Sequence, residues 1–271
     1  MKILSIILLL TFFTLVISAQ NSYFDRGYSL YSQKKYKEAD SLFTLSIEKE
    51  QNTICDALRI RALNRIILSD SSGSFNDIQK AIALCTDNAN VYYSQGNIFY
   101  FIKQYTNAIN SYNQAIHLNP KRIDFYINRS LAYGMSGDTI AFKTDALFAL
   151  SIDPDSWQGN SNLGYYYKNT KQFEFALPYF EKAIKSNPSR IEFLICLLEC
   201  QFNLKHFKDA FELCDLGLQM TGANEQLAEI LIFRAQINIE YKNKTDACKD
   251  LRKAFDLDPL NSEKYLKAFC K

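Results

Sequence analysis

Apolar and small residues recur at helical spacing through residues 89–120, ANVYYSQGNIFYFIKQYTNAINSYNQAIHLNP. Tyr92, Gly96 and Phe99 form one stripe. Tyr105, Ala108, Tyr112 and Ala115 form a second, with Lys103 and Gln104 between the two. Steps of three and four residues place each stripe on one face of an amphipathic helix. The pattern predicts two helices joined by a tight turn and closed by Pro120, where a missing N–H does no harm just past a helix end. The same order returns further on: Pro120, Pro154 and Pro188 stand 34 residues apart. Leu163, Gly164, Tyr167, Phe173, Ala176, Phe180 and Ala183 fall in the same places before the last of these prolines.

A helix–turn–helix period of 34 residues with this small and aromatic pattern resembles the tetratricopeptide repeat, a family of protein-binding solenoids. The resemblance implies an all-α, right-handed superhelical solenoid of seven helix pairs over residues 20–261. Residues 20–53 carry Tyr23, Gly27, Tyr36, Ala39 and Phe43 in the repeat's places. Residues 55–88 are degenerate, because Arg61, Ala62 and Arg65 stand where other packing residues are usual. The turn there reads as 69–74, ahead of a helix over 75–84. Residues 123–156, 157–190 and 191–224 follow, the last with Gly222 in the proline's place. A short insertion precedes the final unit, 228–261. Residues 262–271 read as a capping helix, since a solenoid must cover its last apolar face. No linker interrupts the array, and Ala108, Ala115, Ala176 and Ala183 are expected at close helix contacts.

Residues 1–19, MKILSIILLLTFFTLVISA, have a basic residue at position 2, a long apolar run and a small-residue end. They read as a secretory signal peptide, with Gln20 as the new N-terminus. The apolar part falls short of the ~20 residues a spanning helix needs, although an uncleaved anchor stays open as an alternative. The expected location is outside the cytoplasm: periplasmic or outer-membrane-associated, or secreted. Membrane association would come through partners or an uncleaved leader. The chain has 271 residues, 48% of them hydrophobic, ample for a core. Its 31 basic and 29 acidic side chains nearly balance, which argues against nucleic acid as a partner. Its 20 Phe and 17 Tyr fall at repeat spacing, where aromatics are core before they are stacking platforms.

No catalytic constellation stands out. The two histidines, His117 and His206, belong to no metal pattern, and no nucleotide-binding or nucleophile-elbow motif occurs. No enzymatic activity, metal or cofactor is expected. In tetratricopeptide arrays the first helix of each pair lines the concave groove. By that register the groove here takes in Tyr93, Asn97 and Tyr100, then Ile127, Asn128 and Leu131, then Ser161, Asn162, Tyr165 and Lys168. Asparagine amides suit the N–H and C=O groups of an extended peptide, and tyrosines add flat area with a polar tip. A solvated polar face is the plainer reading of the same residues. The family's carboxylate clamp would place asparagines at Asn97 and Asn128. Its cations are missing, with Tyr93, Gln158 and Asn162 in their places, so a clamp for chaperone tails is not expected.

Acidic residues stand near the start of several first helices: Asp56, Asp124, Glu192 and Glu229, with Asn21, Asn90 and Gln158 in the other repeats. They read either as a stripe facing a basic partner or as carboxylates favoured by the helix dipole. Seven cysteines in an exported chain raise the question of disulfides, and an odd total leaves at least one unpaired. Cys55 and Cys85 bracket the degenerate repeat, and antiparallel helices would bring these two ends together. They are the candidate pair, with two thiols that never meet as the alternative. The functional reading is an exported scaffold that binds protein or peptide partners through its groove. The alternatives are an assembly subunit that uses convex or edge surfaces, and an enzyme or carbohydrate-active accessory domain.

Overall fold

The structure, a computed structural model, describes residues 22–270. The leader read at 1–19 and the expected new terminus at Gln20 lie outside the described residues. Fifteen α-helices and no strand are found among the described residues. In order they are α1 (Tyr23–Ser32), α2 (Tyr36–Lys49), α3 (Ile54–Ile67), α4 (Ser71–Leu84), α5 (Ala89–Phe101), α6 (Tyr105–Leu118) and α7 (Ile123–Ser136). Then come α8 (Thr139–Ile152), α9 (Trp157–Asn169), α10 (Phe173–Ser186), α11 (Ile191–Asn203), α12 (Phe207–Gly217), α13 (Asn224–Glu240), α14 (Lys244–Leu257) and α15 (Pro259–Phe269). They make seven successive pairs and a terminal helix. By their contacts they form two compact units that divide between Ser136 and Gly137, inside the fourth pair. In the first unit each helix of α1–α7 packs on its sequence neighbours, and the second unit repeats this from α8 to α15.

Small residues meet aromatic ones inside each well-formed pair. A Cβ added at Gly164 of α9 would come within 2.8 Å of the Phe180 ring on α10. Gly27 faces Phe43 in the same way, and Gly96 faces Tyr112. Ala108, Ala115, Ala176 and Ala183 are fully buried on the second helices, as expected, together with Ala39, Ala81, Ala210, Ala247 and Ala254. These methyl-sized contacts let neighbouring backbones approach at close-packed density.

The turn inside each pair carries one residue at positive φ: Lys34, Ser69, Lys103, Gly137, Lys171, Lys205 and Lys242. This left-handed residue ends the first helix and lets the next N–H groups bond back to its last carbonyls. After Lys103, for example, the Gln104 N–H donates to the Phe99 carbonyl at 2.8 Å. Lysine is tolerated in this conformation, and its charge interacts well with a helix C-terminus.

Three local expectations change. Ser71–Ser74 are not turn but the first turn of α4, which starts early because the Asp70 carboxylate accepts from the Gly73 N–H at 2.8 Å. The insertion before residue 228 is not a loop: it is absorbed as added helix, so α13 runs 17 residues from Asn224. The terminal helix begins at Pro259 rather than 262, with proline in the first turn, where its missing N–H has no partner to lose.

Arg61 and Arg65 are also not packing faults. Arg61 donates from Nε and Nη2 to the two oxygens of Asp77, each at 2.7 Å, and from Nη1 to the Thr44 hydroxyl at 2.8 Å. Arg65 reaches Asp77 at 2.9 Å and Asp40 at 3.1 Å. The last pair repeats the device, with Arg234 held by Asp250 at 2.7 and 2.9 Å. In both pairs the arginine precedes its aspartate by 16 residues.

Candidate partner-binding grooves

The sequence-derived groove residues fall in both units. In the first, Tyr93, Asn97 and Tyr100 lie on α5 and Asn128 on α7. Asn128 donates from Nδ2 to the Asn97 side-chain oxygen at 2.9 Å and to the Tyr93 hydroxyl at 2.8 Å. The Tyr112 hydroxyl donates to the same Asn97 oxygen at 2.8 Å. The Tyr93 ring packs against Phe125 at 5.0 Å and Tyr112 at 5.9 Å, and Tyr100 meets Tyr105 edge-on at 5.7 Å. The two asparagines thus tie first helices to one another. Burial raises the Tyr93 phenol above its ordinary pKa, with the nearby Asp124 charge adding to it. Arg122 is engaged by Asn90 at 2.5 Å and Asp124 at 3.3 Å, so no free arginine faces the asparagine pair.

In the second unit Asn162 is buried, which removes its amide from an open surface. Tyr165 is half-buried and edge-on to Phe180 at 5.4 Å. Lys168 donates to Glu199 at 2.6 Å. Burial alone would lower the Lys168 ammonium, but the Glu199 bond outweighs it and the pKa is raised. Lys168 therefore stays charged and already holds a carboxylate.

Next to this pair α11, α13 and α15 enclose a cavity of about 590 Å³. Phe202, Phe233, Ile232 and Tyr265 supply apolar wall, and Glu199, Glu225 and Glu229 stand around it with Gln226 and Gln236. The cavity size falls in the ~300–1,000 Å³ range of ligand sites. The register argument stops at the middle repeats and passes over these residues. Carried on to α11 and α13, the same register would have found Phe202 and Phe233. Burial first, then the Glu199 charge, raises the Glu229 pKa, although the side chain still reaches solvent.

Of the acidic series, Asp56, Asp124 and Glu192 do lie in first helical turns. Asp56 is paired with Arg59 at 2.6 Å and Asp124 with Arg122 at 3.3 Å. Glu229 departs from the series: α13 starts at Asn224, so Glu229 sits in its second turn and faces the cavity.

Cys55 and Cys85 lie at opposite ends of the second pair's sequence with Cα atoms 6.3 Å apart, joined as a disulfide. A second disulfide joins Cys248, near the start of α14, to Cys270 just past α15, with Cα atoms 5.5 Å apart. It ties the terminal helix to the last pair by the same antiparallel logic, which was available in the sequence. Cys196, Cys200 and Cys214 are free and buried. His117 sits in the last turn of α6, and His206 precedes α12 with Nδ1 2.8 Å from the Gln201 amide oxygen. No group of three or more His, Cys, Asp or Glu among the described residues is placed to hold a metal. No helix among them is long and apolar enough to cross a membrane.

Stacked helix pairs with an open polar and aromatic face define a repeat protein of the interaction-scaffold kind. Family models described as TPR repeat and tetratricopeptide repeat match residues 96–137 and 158–190. These two stretches are tetratricopeptide repeats. The chain is 26% identical over 179 residues to tetratricopeptide repeat protein 16 of Mus musculus, covering 64% of this chain and 23% of that protein. It is 28% identical over 106 residues to Hsp70-Hsp90 organizing protein 3 of Arabidopsis thaliana, covering 39% of this chain and 19% of that protein. It thus spans a quarter or less of the length of these relatives. Among solved structures it resembles YrrB, a TPR protein with an unusual peptide-binding site. The TM-score is 0.59 at 19% identity, covering 70% of this chain and 97% of that one, a likeness of fold.

Proposed function

We propose that this protein is an exported scaffold that holds a protein or peptide partner against the open faces of its first helices. The observation that carries this reading is the cavity of about 590 Å³ between α11, α13 and α15, where aromatic walls and side-chain amides meet. Such a surface suits a peptide, whose backbone needs hydrogen-bond partners while its side chains need apolar pockets. The resemblance to proteins named for organizing Hsp70 and Hsp90, and to one with a peptide-binding site, supports a binding role. The leader-like start of the sequence supports export, and two disulfides fit an oxidising compartment.

A photo-crosslinking residue placed at Gln236, inside the cavity, should yield partner adducts from an envelope extract. The same residue at the exposed Glu181 on α10 should yield none. Adducts from Glu181 alone would instead favour an assembly subunit that works through its outer helices.

A further inference from the structure

The cavity between α11, α13 and α15 has a sign of charge, and this deepens the proposed scaffold role, on which it rests. We propose that it takes an arginine side chain from an extended basic peptide. Glu199 is already neutralised by Lys168 at 2.6 Å. Asp258, at the edge, caps α15 by accepting from the Asn261 N–H at 3.3 Å and its side-chain amide at 2.6 Å. Glu225 and Glu229 have no hydrogen-bond or ion-pair partner among the described residues and leave two carboxylates facing the space. The ammonium in the lining, Lys264, lies over the Tyr265 ring at 4.8 Å on the α15 wall.

The apolar part of the cavity favours a flat cation over a round one. Phe202 and Phe233 meet with ring centroids 5.4 Å apart and planes at 64°. A guanidinium is planar and weakly hydrated, so it can lie on an aromatic face while its N–H fork meets a carboxylate. A lysine ammonium would gain the charge but not the stacking. A peptide ending in carboxylates would meet Glu225 and Glu229 with like charge and find Lys168 occupied.

Fluorescence anisotropy on the whole protein tests this with a labelled hexapeptide alternating arginine and alanine, beside its lysine and glutamate counterparts. The arginine peptide should bind tightest and the glutamate peptide not at all. Glu229→Gln and Phe233→Ala should each weaken arginine-peptide binding by about tenfold, the scale of one charge-assisted hydrogen bond. Glu181→Gln, an equal change of charge on exposed α10, should leave binding unchanged. Glu229→Gln alters a solvent-reaching side chain with no partner, so it keeps the test valid if Phe233→Ala unfolds the protein. No arginine-peptide binding, tighter glutamate-peptide binding, or equal loss in Glu181→Gln would overturn the assignment. If that happens while crosslinks at Gln236 persist, the scaffold role stands and only the partner's charge is wrong.

Discussion

Arg61 and Asp77 are joined by two parallel hydrogen bonds of 2.7 Å across the second helix pair, with side chains 9% and 0% exposed. The sequence pattern marks Arg61 as a misfit because a charged residue stands on a packing face. The structure resolves it by placing an aspartate opposite, on the facing helix. Asp77 also binds Arg65, so one carboxylate serves two guanidinium groups. Removing one partner of such a buried pair costs about 3–5 kcal/mol, because the other charge stays behind desolvated. Asp77→Asn should lower stability by that amount in urea unfolding. Arg61→Met combined with Asp77→Leu should lose markedly less, since no buried charge is stranded at Arg61 and Arg65 keeps Asp40. Equal losses in the two variants would mean that packing, not charge, dominates the site.

Gly137 is the one glycine among the seven positive-φ turn residues, at φ 90°, and a Cβ there would touch nothing within 4 Å. Any effect of Gly137→Ala is therefore a backbone effect. It should destabilise by roughly 1 kcal/mol, the usual penalty for a side chain in the left-handed region. Lys171→Gly should be close to neutral, because relief of that penalty is offset by the freer unfolded chain. A loss in Lys171→Gly as large as that in Gly137→Ala would show that the lysine charge holds this turn.

The two disulfides close spans of 30 and 22 residues. Loop-closure models give about 3–4 kcal/mol for a loop of the larger size. Non-reducing peptide mapping of oxidised protein should recover Cys55 linked to Cys85 and Cys248 linked to Cys270. Reductant should lower the urea midpoint, and Cys55→Ser with Cys85→Ser should reproduce the larger part of that drop. Free alkylation of all four thiols in protein purified from an oxidising compartment would refute both bonds.

Burial pushes the Cys196 thiol up to about 11 and those of Cys200 and Cys214 up to about 12. A raised thiol pKa keeps the unreactive neutral form well above neutral pH. Iodoacetamide at pH 8 should therefore leave all three unlabelled in the folded protein and label them on unfolding. Rapid labelling of Cys214 in the native state would contradict its burial.

Ala176 is fully buried against its pair in the best-formed repeat. Ala176→Leu should cost about 1–3 kcal/mol by overpacking, read from thermal or urea unfolding. A change near zero would place the close helix contact elsewhere.

The period of 34 residues, the helix pairs, the buried alanines and the Gly–aromatic contacts were legible in the sequence by itself. Each repeat packs on its nearest neighbours, so a local pattern already states which face of each helix is covered. The same local logic holds for Cys55 and Cys85, two ends of one antiparallel pair. Tertiary structure alone decided what meets across those faces. Helical periodicity says that Asn97 and Asn128 share a side of the chain, but not that they bond each other and two tyrosines. It says that an insertion precedes residue 228, but not that α13 absorbs it and carries Glu229 from the first turn to the second. It identifies Arg61 as polar on a packing face, but not that Asp77 lies opposite. The physical reason is the same throughout: spacing along a helix fixes direction, whereas hydrogen bonds, ion pairs and cavities depend on distances between helices, and only packing sets those.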